Sequence, residues 1–516
     1  MENKKFELSG PLKNTNNRSV EVVILSALFI INISVVAAQM GDPDLRNVNV
    51  IEILKKIECN EDINYKNVRI VGDLSFERLP LNDSASNKDC LEYNYNNKYI
   101  NSSIQIIGSK FDGNIDFSKM IFLKPVNIMQ TSFESDAKFE DATFTDKASF
   151  SQTRFSKIAS FDHSVFEKDS YFMVSEFDEG ASFEGSIFQN NSFFDGSKFI
   201  YYANIAKADF KEYANFVSTE FHRGADFRKV KFEKRADFNK AKFMEDALFS
   251  SANFSKISTF TGSRFLGDAY FSNASFHEDV SFDGVIFEKI AKFNSDALFE
   301  LKGARFYGNF LMRNAIVHFM QLDDAQFLSL MYLDNSSFDR LSMRWFTIKD
   351  HLFFNDQAYQ MLIKNYKDLG WFTDADSCYY QYMEELRSRE NWGVSKAIYY
   401  LAWASCGYGV SILNIFVFPA LVILVFSAYF LLRNLPRYPV NAPITEKIKI
   451  FIKEIFKLVV FSTLILISAP AEMYPFGEER YRHLIIRHPY VATLERIFGW
   501  FLMAIAIVTV SRFMIR

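Results

Sequence analysis

From Phe111 onward a large apolar residue returns alternately after six and after five positions. The steps land on Phe111, Phe117, Phe122, Ile128, Phe133, Phe139, Phe144 and Phe150, and they hold without a slip to Phe293. The middle of the run is Phe227, Phe232, Phe238, Phe243, Phe249, Phe254, Phe260, Phe265, Phe271 and Phe276. A small residue often stands two positions earlier, as Ala236, Ala241, Ala247 and Ala252 do. Past Phe293 the register slips near Phe299 and resumes at Phe306, Phe327 and Phe338. An 11-residue period, split six and five, is therefore the dominant pattern of the chain.

Such a period also suits a right-handed helical supercoil, so helix and strand must be told apart. On an α-helix, steps of five and six turn the chain by roughly 140° and 240°, which puts alternate Phe on opposite sides. The intervening Asp, Asn, Ser and Gly favour turns over helices. On a strand, the small residue and the Phe two later share one face, and the residue between them faces out. The polar residues after each Phe then turn a corner. A unit this short cannot bury its Phe alone, whereas stacked coils that pair through their backbones build one continuous apolar interior.

The repeated A-x-F-x-x unit, with Ala, Ser, Thr or Val two before the Phe, resembles the pentapeptide-repeat proteins. The resemblance covers residues 101–341 and implies an all-β, right-handed, four-sided β-helix. The spacing departs from the plain form: a four-sided coil takes about 22 residues here where strict fives take about 20, as in one Phe-rich branch of that family. About ten coils at ~4.8 Å each make a rod of roughly 50 Å. The ten Phe from Phe227 to Phe276 are its expected structural core.

Before the repeat, Lys4, Lys5, Lys13 and Arg18 precede an uncharged run from Val22 to Ala38. Val36-Ala37-Ala38 suits cleavage before Gln39, so residues 1–38 read as a signal sequence or an N-terminal anchor. Either one places the repeat outside the cytoplasm. There Cys59 and Cys90 form a disulfide or stay as two buried thiols. Residues 39–100 read as an N-terminal cap and first coil. Val48, Ile51, Leu54 and Ile57 predict a lid helix over the open end, VRIVGDLSF starts the first coil, and Asn82 to Asn97 is an insertion loop. Sequons begin at Asn82, Asn101, Asn190, Asn253, Asn273 and Asn335, in a repeat rich in Asn and Ser.

After Leu341 the period becomes helical. Tyr359, Leu362, Ile363 and Tyr366 make one stripe, Gly370 stops it, and Ala375, Cys378, Tyr379 and Tyr382 make a second. These spacings resemble a single tetratricopeptide-type hairpin, expected to cap the solenoid within residues 342–409. Residues 410–432 carry no charge and are long enough to span a bilayer. Arg433, Arg437, Lys447, Lys449, Lys453 and Lys457 follow, which puts that end in the cytoplasm by the positive-inside rule. Residues 458–469 read as a half-helix ended by Pro470, and 494–511 as a second span. Span, half-helix and span over 410–516 are similar to an ion-channel pore module. The segment after the half-helix reads SAPAEMYPFGEE, with no ring of filter carbonyls, and Gly407-Tyr408-Gly409 precedes the first span. Ser468 and Glu472 are the candidate pore-lining residues of an expected homo-oligomer.

A net charge of −4 argues against a general nucleic-acid partner, and the basic stretch from Arg223 to Lys242 reads as a solvated face. The seven His form neither a metal pattern nor a catalytic one; His163, His222, His277 and His318 fall on outward or corner positions. No nucleophile elbow or phosphate loop occurs, so no enzymatic activity and no cofactor are expected. The expectation is a protein of the cell membrane whose extracytoplasmic β-helix is a structural or binding scaffold on a channel-like base. The alternative is a gated ion channel with the β-helix as its sensor.

Overall fold

The computed structural model describes residues 45–75, 98–296, 302–436 and 443–514. The segment 1–38, the loop from Asn82 to Asn97, Cys90 and Phe299 lie outside the described residues. Two compact units divide the chain, one ending at Ala181 and one beginning at Ser182.

The first unit is a stack of parallel coils. On one face five strands follow one another: Ile63–Lys66, Ile104–Ile107, Val126–Met129, Ala148–Ser149 and Ser170–Tyr171. From Ile104 onward pairing sets each residue against the one 22 later, as Phe133 against Phe155 and Phe144 against Phe166, whereas Ile63 pairs with Ile104, 41 later. Four such faces per coil bury the Phe of the 6+5 run. The corner inside each five-residue step is a tight turn. Ala142 N–H bonds Phe139 O at 3.1 Å, and Asp141 between them has φ +56°. A positive φ at the third turn position is the type II geometry. The six-residue step carries one more residue around its corner, which is why five alternates with six.

The start of this unit differs from the sequence expectation in two ways. The first strand is Arg46–Asn49, and it pairs in parallel with Val68–Val71, so the solenoid opens before VRIVGDLSF. Val48 belongs to that strand. The lid helix α1 is Val50–Glu58, with Val50, Ile53, Leu54 and Ile57 buried and Ile51 exposed. Asn49 caps it by accepting the Ile51 N–H at 2.9 Å. The shift has a physical cause: an Asn at the N-cap ends the extended backbone and starts the helix one residue later.

The second unit continues the same geometry from Ser182. Seven strands stack on one face, from Ser192–Phe193 through Ala214–Asn215, Ala236–Asp237, Ser258–Thr259, Val280–Ser281 and Phe310–Leu311 to Met331–Tyr332. All ten Phe from Phe227 to Phe276 are fully buried. Their rings form ladders: Phe227 stacks on Phe249 at 4.8 Å, and Phe254 on Phe276 at 4.7 Å. The slip after Phe293 is an insertion that makes Phe306 pair with Phe276, 30 residues back, and the last coils close at 21 residues. The β-solenoid has about 12 turns in all.

Among the described residues eight further α-helices follow. They are α2 (Trp345–Ile348), α3 (Asp356–Asp368), α4 (Phe372–Arg389), α5 (Val394–Cys406), α6 (Ile412–Arg433), α7 (Ile444–Leu466), α8 (Glu478–Arg487) and α9 (Pro489–Met514). Gly370, at φ +72°, breaks the chain between α3 and α4. The segment 458–469 is not a free half-helix but the end of α7, which begins at Ile444. Charged residues from Glu446 to Lys457 interrupt the apolar run without interrupting the helix, because Glu and Lys are good helix formers.

Candidate functional site: the junction between the solenoid cap and the apolar helices

A parallel coil stack ends in open backbone groups, and α3 closes them with a side chain. Asn365 Oδ1 accepts the Leu341 N–H at 2.9 Å, and Asn365 Nδ2 donates to Leu341 O at 2.8 Å. The amide thus replaces the peptide of a next coil. On a second face, residues 351–353 do the same through backbone: Met331 N–H bonds His351 O at 2.8 Å, and Phe353 N–H bonds Met331 O at 2.9 Å. Asp374 at the start of α4 accepts the Trp345 N–H at 2.9 Å and pairs with Arg344 at 3.0 Å. Tyr359, Leu362, Tyr366, Ala375 and Cys378 are buried between the helices, whereas Ile363, Tyr379 and Tyr382 are half-buried. Burial pushes the Cys378 thiol far up, which leaves it a packing residue.

The cap continues into the apolar helices through charge and aromatic contacts. Arg387 of α4 pairs with Glu384, and its guanidinium lies 4.8 Å from the Tyr400 ring and 5.0 Å from the Trp403 ring of α5. Trp403 donates to Tyr380 Oη at 2.9 Å. Gly407, Tyr408 and Gly409 all have positive φ and break the helix between α5 and α6. A Cβ on Gly407 would stand 2.6 Å from the Ser411 side chain, so only Gly fits there. At the far end of α9, Arg512 bonds Asp376 of α4 at 2.9 Å and lies 5.3 Å from the Tyr379 ring. A cleft of 360 Å³ between α4, α5 and α9 is lined mainly by Tyr379, Met383, Cys406, Tyr408, Phe501 and Ile505.

Two helices, Ile412–Arg433 and Pro489–Arg512, are long and apolar enough to cross a membrane. Only 17% and 22% of their apolar windows are buried, so most of that apolar surface is left uncovered by the described residues. Helix α7 packs between them and stops partway. Ser427 reaches Leu458 O at 3.3 Å, Ser462 reaches Ile423 O at 3.2 Å, and Ser462 also pairs with the buried Glu495 of α9. A Cβ on Gly499 would stand 1.7 Å from Leu466 O, so α7 ends directly against the middle of α9. The chain then turns back: Tyr474 Oη donates to Lys457 O at 3.2 Å, and Arg487 of α8 bonds Asn434 beyond α6 at 2.9 Å.

The end of α7 differs from what a bare half-helix would offer. Ser468 has φ +53°, Ser468 N–H bonds Ile465 O at 2.9 Å, and Ala469 N–H bonds Leu464 O at 2.8 Å. This is the Schellman closure, and it satisfies the terminal carbonyls locally. Tyr481 Oη donates to Ala469 O at 3.2 Å. The backbone here therefore places little demand on water. Ser468 and Glu472 are exposed and line one cleft of 460 Å³, but Arg482 and Arg496 line it too. A carboxylate flanked by two guanidiniums is not a purely anionic surface.

Along the solenoid wall the charges pair from coil to coil. Arg223 bonds Glu245 at 2.8 Å and Lys242 bonds Glu220 at 2.7 Å, which neutralises much of the basic stretch. His222 lies 3.4 Å from Glu220, His277 stacks on Tyr307 and His318 bonds Asp339 at 2.9 Å. No group of three or more His, Cys, Asp or Glu is placed to hold a metal among the described residues. Asp195 accepts from Asn215 at 3.1 Å, and burial pushes its carboxyl up to about 6. A folded state that holds this proton loses stability as pH rises from the ordinary range near ~4 to about 6. Asp195→Asn should abolish that loss, so melting curves of variant and parent should diverge across this window and run parallel above it.

Asn365, Asp374, Arg387, Glu495 and Arg512 escaped the sequence reading. Two of them left a signal. Asn365 is a polar residue on the Tyr359–Leu362–Tyr366 stripe, and Glu495 is a charge at the start of an apolar segment.

Comparison with known proteins fits the coil geometry. A family model described as pentapeptide repeats, in 9 copies, matches residues 130–172 and 249–295. No curated protein and no solved structure matches this chain. The matched segments lie inside the stack of four-strand coils described above, and these coils are pentapeptide repeats.

Proposed function

We propose that this protein is a non-enzymatic scaffold: a pentapeptide-repeat solenoid carried outside the cytoplasm on a membrane base formed by α6, α7 and α9. The observation that carries the reading is the junction. Asn365 seals the last coil, and Arg512 ties α4 of the same cap to the end of α9. A displacement of the solenoid end is therefore passed to the apolar helices through charged and hydrogen-bonded contacts and not through a loose linker. Lipid is the first partner, and copies of the same chain are the second.

The test is topological. Trp392 and Leu435 are both strongly exposed, at opposite ends of the α5–α6 segment. In intact cells an impermeant thiol reagent should label Trp392→Cys, and should reach Leu435→Cys only after permeabilisation. The motivation is the basic cluster after α6, with Arg433, Lys447, Lys449 and Lys453 on one side. The reverse labelling pattern would put the solenoid in the cytoplasm.

A gated ion channel is the second reading. It is favoured by the way α7 enters between α6 and α9 and turns back, with Ser468 and Glu472 exposed at the turn. A ring of such carboxylates around a shared axis favours cations. Purified protein in planar bilayers should then conduct, Glu472→Lys should abolish cation preference, and Glu472→Gln should weaken it. Absence of conductance leaves α7 as a packing element, which the closed carbonyls at its end support.

A further inference from the structure

The first half of α7 is helical, yet its apolar side is largely exposed, its one ring contact among the described residues being Phe456 edge-on to Phe476 at 6.1 Å. Ile444, Ile448, Ile452 and Phe456 lie one helical turn apart and are 76%, 52%, 59% and 60% exposed. Phe451 and Ile455 fill the same side and are 36% exposed each. At 100° per residue these six fall within one broad stripe. Lys447 borders the stripe on one side, and Lys449 borders it on the other with Lys453 next to it further round. None of these three lysines has an ion-pair partner among the described residues, whereas Lys457 further along is bonded to Glu454 at 2.8 Å. Glu454 in turn is held by Arg480 of α8, so that carboxylate is already paired on both sides.

Three classes of surface could cover the stripe: a lipid leaflet, a second copy or another protein. Two features favour the leaflet. The helix that carries the stripe runs on without a break to Leu458, Phe461 and Ile465, whose own face packs among the two helices long enough to cross a membrane. The border is made of lysine, which is depleted at protein interface cores but suits anionic headgroups.

We infer that the segment Ile444–Phe456 lies in the headgroup layer of an anionic membrane leaflet, with its Ile/Phe stripe at the acyl boundary and Lys447, Lys449 and Lys453 on lipid phosphates. This rests on the membrane reading above, and it adds an interfacial arm that senses lipid charge. Because the arm is continuous with the part of α7 wedged between α6 and α9, lipid composition acts on that wedge directly. An amphipathic helix of this kind buries its apolar side about 5–10 Å into the boundary region, and nearby lysines strengthen its attraction to an anionic leaflet.

The test uses the full chain reconstituted into phosphatidylcholine vesicles with or without phosphatidylglycerol. Nitroxide labels are placed singly through Ile448→Cys and Ile452→Cys on the stripe, Glu446→Cys on the polar side and Leu424→Cys on α6. In vesicles containing phosphatidylglycerol, labels at 448 and 452 should collide more with oxygen than with a water-soluble nickel chelate, and the label at 446 should do the opposite. Omitting phosphatidylglycerol, or introducing Lys449→Gln with Lys453→Gln, should shift 448 and 452 towards water and leave Leu424 unmoved. If 448 and 452 meet the chelate freely while 424 stays in lipid, the interfacial arm is wrong and the membrane reading stands. If 448 and 452 are shielded from both quenchers and the spins couple, a second copy covers the stripe and the arm is wrong. If 424 itself meets the chelate, the membrane reading falls and the arm with it.

Discussion

Phe238→Ala is expected to destabilise the solenoid by about 3–5 kcal/mol, the usual range for emptying a buried aromatic site. Phe238 is fully buried between Phe216 and Phe260, each stacked at 4.9 Å, with Phe227 and Phe249 edge-on at 5.4 and 5.5 Å. The cavity has little means of collapse. Phe238 N–H is fixed to Thr259 O at 2.7 Å, and Phe216 N–H to Asp237 O at 2.7 Å, so neither neighbouring coil can move in without breaking a ladder. Lys240, two residues on, is exposed at the corner with φ +58°. Lys240→Ala keeps a Cβ in the same left-handed corner and should change stability by no more than about 0.5 kcal/mol. Denaturant unfolding followed by circular dichroism compares the two. Equal losses would mean that the 6+5 register is not the register of the core.

The second large effect lies at the cap. Asn365→Ala should cost about 2–6 kcal/mol, because it leaves the buried N–H and C=O of Leu341 without partners, at about 1–3 kcal/mol each. The variant also frays the last strand, Ser337–Ser342, so its amides should exchange with deuterium much faster while those near Phe238 keep their protection. Asn365→Asp separates the two bonds. A carboxylate still accepts from Leu341 N–H but turns an oxygen towards Leu341 O, so at neutral pH it should be nearly as damaging as Ala. Once protonated it can donate again, and protection of the last strand should recover as pH falls through the carboxyl range. Unchanged exchange in Asn365→Ala would remove the amide from its capping role.

How far the sequence carried these conclusions can be judged from particular residues. The Phe ladder was legible because burial in a coil stack repeats with the chain, and 22 residues per turn is written as two sixes and two fives. The lid helix was legible only in kind. Helical spacing from Val48 and a strand ending at Asn49 look alike in four residues, and it was pairing with Val68–Val71, distant in sequence, that claimed Val48 for the sheet. The extent of α7 was hidden for a different reason. Its charged face reads as a break in hydropathy, although Lys and Glu do not break a helix.

At the candidate site the sequence supplied residue types and the tertiary structure supplied partners. An Asn on an apolar stripe is a flag without an address; only the docking of α3 on the last coil gives it Leu341. Ser468 and Glu472 were singled out by their place after an apolar run, but Arg482 and Arg496 share their cleft because α8 and α9 fold back over the turn. By itself the sequence determined the repeat, its period, its buried face and the two long apolar segments, since each is set by spacing and composition along the chain. The structure decided where the solenoid begins, how its end is sealed, how the cap is tied to α9 and where α7 stops. Those depend on which groups are left unsatisfied when separate elements meet, and no local pattern records that.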